Sequence, residues 1–198
     1  MEFFNIIYLS HIGFRLSSYM LVSFFVLMSL FNSDVRGLVF LAILLVETAI
    51  MVSIGRALAP IFPDDEPSGV CNTLNLTATG RLSGPVPLNL NTFAFTFGYL
   101  IYIIAKNKLE ETPNGVMIMI FFISFIVAHI IWLFTYGCAN IFMLLATTVI
   151  GTGFGALFSY MISSAGNENL QFFGQLTGAE VCKRPTNEKF KCTTTYTM

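Results

Sequence analysis

Glu47 is the residue best placed for chemistry, because it is a carboxylate inside an apolar run over residues 37–54. A charge in mid-bilayer costs at least about 2.5 kcal/mol, so the group must face protein or carry a proton. Two roles fit: a proton or substrate site, or a neutral hydrogen-bonded group that orients helices. His129 stands inside a second apolar run. Glu47 lies ten residues beyond Gly37, and His129 thirteen beyond Val116. With a helical rise of about 1.5 Å per residue, the two fall within roughly one turn of the same depth. The spacing therefore predicts an intramembrane polar pair, Glu47 with His129. A lone histidine in a span more often bonds a neighbouring helix than holds a metal, so no metal site is expected. His11, near the first boundary, reads as interfacial.

A second candidate lies where a long polar loop meets the third apolar run. Asn89, Asn91 and Thr92 follow Pro85 and Pro87. Such side chains cap helices by accepting from the first backbone N–H groups. A helix start is also a ready anion site. With Arg56 and Arg81 at the same face, these residues make a candidate anion-binding set: Arg56, Arg81, Asn89, Asn91 and Thr92. The run Gly151-Thr152-Gly153-Phe154-Gly155 contains a G-x-x-x-G. No Lys-Ser/Thr follows it, which rejects a phosphate loop. Gly151 and Gly155 are expected to admit a neighbouring helix at close range.

The four cysteines are Cys71, Cys138, Cys182 and Cys192. None forms a C-x-x-C pair, so neither zinc nor a dithiol redox motif is signalled. The sequon Asn75-Leu76-Thr77 offers a glycosylation site at Asn75. No cofactor motif is present, and no cofactor is expected.

These residues must be positioned by helices in lipid. The chain has 198 residues, of which 55% are hydrophobic and 11% charged, with a mean hydropathy of +0.74. A soluble domain carries about 25% charged residues, so this chain lacks the polar surface to dissolve. A net charge of −1 supplies no field for nucleic acid. Five apolar stretches reach or approach the roughly 20 residues a span requires: 12–31, 37–54 (extending to 62), 90–105 (from 86), 116–134 and 139–163. Each is expected to be helical, because lipid offers no partner for backbone groups. Continuous rather than alternating hydrophobicity rejects a barrel. The reading is an all-α membrane protein: a five-helix bundle over residues 1–163, opening with an interfacial segment, then a polar tail over 164–198. Pro113-Asn114-Gly115 reads as a turn.

Five spans place the termini on opposite sides. Arg15 and Arg81 fall on one side, joined by Arg56 if the second span is short. Arg36, Lys106, Lys108, Lys183, Arg184, Lys189 and Lys191 fall on the other. The positive-inside rule then sets the tail in the cytosol and the loop over 63–85 outside or in a lumen. A Cys71–Cys138 bridge would pin that loop to the outer end of the bundle, while Cys182 and Cys192 would stay reduced in the cytosol.

The order of elements resembles the type 2 phosphatidic acid phosphatase family over residues 37–163. That family has a helix ending in Lys, six residues and Arg-Pro. A loop follows, then Pro-Ser-Gly-His opens a helix, and Ser-Arg, five residues and His open a later one. Here the second span ends in Gly55-Arg56-Ala57-Leu58-Ala59-Pro60, and the third opens at Pro87-Leu88-Asn89-Leu90. The turn Tyr136-Gly137-Cys138-Ala139-Asn140 leads into a glycine-rich last span. Ala49 stands where the Lys would be, no His follows Pro87, and neither Arg nor His lies near the last turn. A phosphohistidine mechanism needs that nucleophile and a basic cradle. The resemblance therefore implies a relative without catalytic residues, to which only Arg56 carries over.

The function expected is that of a non-enzymatic membrane scaffold or lipid-interacting component, with lipid as one partner and a protein at the tail as another. A lipid phosphatase-like enzyme with an outer-face site is the second reading, and a small transporter or channel centred on Glu47 the third. A small, phenylalanine-rich polytopic chain with degenerate motifs also fits the internal membrane of a large DNA virus.

Overall fold

The computed structural model describes residues 6–31, 33, 35–58, 60, 86–108, 113–167 and 170–171. Five helices follow one another: α1 (Ile6–Phe31), α2 (Arg36–Leu58), α3 (Leu88–Lys106), α4 (Pro113–Thr135) and α5 (Ile141–Ser164). There is no strand among the described residues. All five are long and apolar enough to cross a membrane. The chain is an integral, multi-pass, all-helical membrane protein.

Two helix starts differ from the sequence expectation. α1 begins at Ile6, so the N-terminal interfacial segment runs without a break into the first span. No proline interrupts residues 6–12, and a helix continues where nothing stops it. α4 begins at Pro113, within the stretch expected to turn. Proline suits the first helical position, where its missing N–H would have had no partner.

The connections are made by short, specific geometry. Gly137 has φ +63°, which glycine adopts without strain. Its N–H donates to the Phe134 carbonyl at 3.1 Å, and Cys138 N–H donates to the Leu133 carbonyl at 2.8 Å. This paired closure satisfies the last carbonyls of α4 and reverses the chain. Asn140 then opens α5 by accepting from the Phe142 N–H at 3.1 Å. Between α1 and α2, Gly37 N–H donates to Ser29 Oγ at 3.2 Å.

α3 is the centre of the bundle. Eleven of its 19 residues are buried, and it packs on all four other helices. It also has the lowest hydropathy of the five spans. These two facts are linked, because a helix surrounded by protein can carry Asn89, Asn91, Thr92 and Thr96 without presenting them to lipid. Rings fill the inner layers. Phe40 of α2 stacks on Phe25 of α1 at 4.4 Å between centroids and meets Tyr99 edge-on at 5.2 Å. On the α4 side, Phe93 stacks on Phe125 at 4.3 Å.

The tightest pair is α3 with α5. The two run parallel: Asn91 faces Gly151, Phe95 faces Gly155, Tyr102 meets Tyr160, and Lys106 donates to Ser163. A Cβ on Gly155 would fall on the Phe95 carbonyl oxygen, and one on Gly98 would fall on the Thr152 carbonyl oxygen. Glycine at both positions lets the backbones touch. Beyond α5, Gly166 (φ +72°) turns the chain back. Gln171 is thereby buried, and its amide donates to the Ser159 carbonyl at 2.7 Å. The start of the polar tail is thus packed against the bundle.

Candidate functional site

Glu47 is the middle residue of α2, eleven residues from either end, so it sits about 16 Å from each. It is fully buried. Its partner is Asn91, also fully buried, whose Nδ2 donates to Oε1 and Oε2 at 2.9 Å each. The other end of the amide points away from Glu47. Asn91 Oδ1 has no hydrogen-bond partner and lies against α5, where a Cβ on Gly151 would come within 2.7 Å of it. Gly151 therefore makes room for the asparagine, and the three residues join α2, α3 and α5 at one level.

This level fixes the depth of α3. Leu88 is three residues before Asn91, or about 4.5 Å toward the end of the bundle where α2 stops. Leu58, the end of α2, is eleven residues beyond Glu47. The first turn of α3 therefore starts about 12 Å short of the C-terminal end of α2. Its N-cap is Pro87, which makes no side-chain cap. Val86 descends to it in a cluster with Met51 of α2 and Met143 of α5.

Among the described residues, the candidate anion set is not gathered. Asn89 Oδ1 accepts from Ser18 Oγ of α1 at 3.3 Å. Asn91 turns to Glu47, and Thr92 Oγ1 donates back to the Leu88 carbonyl at 3.1 Å. None of the three caps α3, since the helix starts before them and their side chains leave it in different directions. Arg56 is exposed in the last turn of α2, nine residues and about 13 Å along the helix from Glu47. Arg81 lies outside the described residues, as do Asn75 and Cys71.

Glu47 and His129 are not brought together either. Both Glu47 oxygens are held by Asn91, while the buried His129 ring stacks on Phe14 of α1 at 5.1 Å and 17°. Phe125 approaches the same ring edge-on at 6.2 Å. Depth along a helix does not fix azimuth: α2 turns Glu47 to α3, and α4 turns His129 to α1. Phe14 also lies 5.7 Å from Trp132, which packs on Tyr136 at 4.2 Å.

Gly151 and Gly155 both stand in the α3–α5 contact. Gly98 shares that role, and Ala94-x-x-x-Gly98 is the small-residue pair in the sequence that signals it. Cys138 is 6% exposed in the α4–α5 turn and is disulfide-bonded. Among the described residues, no group of three His, Cys, Asp or Glu could hold a metal. No family model, curated protein or solved structure matches the chain.

Proposed function

We propose that this chain is a non-enzymatic structural component of a membrane, a five-span bundle that acts through its lipid-facing surface and its polar tail. One observation carries the reading: the mid-membrane carboxylate is spent on a helix-to-helix bond. Glu47 is fully buried and both its oxygens are occupied by Asn91. A buried polar group satisfied in this way fixes which helix faces meet. The outward faces of α1, α4 and α5 carry large apolar residues such as Phe24, Phe121 and Phe142, suited to lipid. The tail, cytosolic in this reading, is the docking surface for a protein partner. Arg36, Lys106 and Lys108 flank the inner ends of the helices and support that orientation.

A transporter centred on Glu47 is the rival, and the sunken start of α3 favours it. A helix beginning near the bilayer midplane beside a carboxylate is a feature of ion-coupled carriers. Reconstitution separates the two readings. In liposomes under an imposed potential, the protein should add no proton flux to the lipid background, and it should release no phosphate from phosphatidate. Flux lost in Glu47→Gln would replace the structural reading with the transporter. Phosphate release lost in Arg56→Ala would replace it with the enzyme.

A further inference from the structure

Where α3 and α5 end side by side, four side chains form one patch. Tyr102 and Tyr160 meet edge-on, with 6.0 Å between ring centroids and 81° between planes. Lys106 lies four residues past Tyr102, on the same face of α3, and its Nζ donates to Ser163 Oγ of α5. Tyr160, three residues before Ser163, shares that face of α5. Each tyrosine is four residues, or about 6 Å, inside the end of its helix. That is the layer between hydrocarbon and headgroups in which amphipathic rings settle. The patch is open, since Tyr160 is 54% exposed and Lys106 is exposed as well.

The patch offers donors. The carbonyls that end the two helices already accept from backbone: Ile103 of α3 from Asn107 N–H at 3.1 Å, and Met161 and Ser163 of α5 from Ala165 and Gly166 N–H, each at 3.1 Å. An ammonium group would thus find the terminal carbonyls occupied. Lys106 brings a positive charge that Ser163 holds in place, and two phenol hydroxyls stand beside it as donors. Arg36, at the same end of the bundle, adds attraction for a negative group. Toward the hydrocarbon, Leu157 and Met161 of α5 are about half exposed and give an apolar rim next to Tyr160. A free anion has no use for such a rim, whereas an acyl chain does.

We propose that this patch binds the headgroup of an anionic glycerophospholipid, with Lys106 as the counter-charge of its phosphate and Tyr102 and Tyr160 as hydroxyl donors. The acyl chains lie along Leu157 and Met161. The site deepens the lipid-interacting reading above and rests on it. The two fail separately, because that reading falls on proton flux or phosphate release and this site on which lipid is retained.

The full chain in nanodiscs of phosphatidylcholine mixed with phosphatidylglycerol tests the site, since such discs offer both lipids to both ends of the bundle. Lipids that stay on the protein after its release from the disc are identified by native mass spectrometry. Phosphatidylglycerol should be retained in excess of its share of the disc. In Lys106→Gln that excess should fall about fivefold, the weight of one basic group at a membrane surface. Tyr102→Phe combined with Tyr160→Phe keeps both rings and should also lower it. Lys108→Gln makes the same charge change two residues away and should leave the excess in place. Equal losses in Lys106→Gln and Lys108→Gln would overturn the site, because a general field would then account for the retention. Retention in proportion to the disc would overturn it too. So would thermal stabilisation of the detergent-solubilised protein by inorganic phosphate as large as that by phosphatidylglycerol. If Lys106→Gln fails to fold, the double tyrosine variant decides, and unchanged retention there overturns the proposal.

Discussion

Asn91 donates its side-chain amide to both carboxyl oxygens of Glu47, 2.9 Å from each, at the middle of α2. Gly151 leaves the space that the asparagine needs, so a polar bond and a steric vacancy act at the same point. Beside it, the parallel α3 and α5 are held at contact distance by Gly98 and Gly155. The helix faces of the bundle are thus chosen by one buried polar pair and a seam of small residues.

The bond from Asn91 to Glu47 gives the first expectation. In Glu47→Gln, an oxygen remains to accept from Asn91 Nδ2, so the link between α2 and α3 is kept. Thermal unfolding in detergent should change by no more than about 0.5 kcal/mol, the size of an average interhelical bond. Glu47→Leu removes the acceptor and strands the buried amide, at a cost of about 1–3 kcal/mol. Equal losses from both substitutions would show that size or charge, and not hydrogen bonding, governs the site.

Glu47 and His129 should behave as independent groups. Glu47 bonds to Asn91, while His129 stacks between rings of α1 and α4. The stability changes of Glu47→Gln and His129→Asn should add to within about 0.5 kcal/mol, as expected for sites without shared partners. A coupling well above that value would restore the proton-sharing pair.

Glycines on the two sides of α5 should answer differently to the same substitution. Gly155→Leu drives a side chain into the Phe95 carbonyl of α3, and overpacking of this kind costs about 1–3 kcal/mol or more. A Cβ on Gly153 meets nothing within 4 Å, so Gly153→Leu should leave the melting temperature nearly unchanged. Equal sensitivity of both positions would mean that α5 packs in another rotation.

The five spans were legible because each is a long apolar run and lipid leaves such a run little choice but a helix. Gly151 and Gly155 were legible by their spacing. The burial of Glu47 is legible from its apolar surroundings, but its partner is not. Hydropathy alone sets Asn91 at the boundary, where the third apolar run begins. In fact α3 is short because it starts well inside the bundle, a tertiary placement that hydropathy does not encode. The same limit explains Asn89, expected to cap α3 and found bonded to Ser18 of α1. Gly98 had a readable signal in Ala94-x-x-x-Gly98, facing the glycine pair of α5.

A double-mutant cycle at Glu47 and Asn91, read as unfolding free energy in a bilayer or mild detergent, tests the central claim most directly. Leucine at either position alone leaves a buried polar group without its partner, at about 1–3 kcal/mol, whereas leucine at both removes the need for the bond. The double variant should recover part of the single losses, giving a coupling of about 1 kcal/mol, within the range measured for interhelical bonds. Strictly additive losses would contradict the account, because Glu47 and Asn91 would then not be holding α2 to α3.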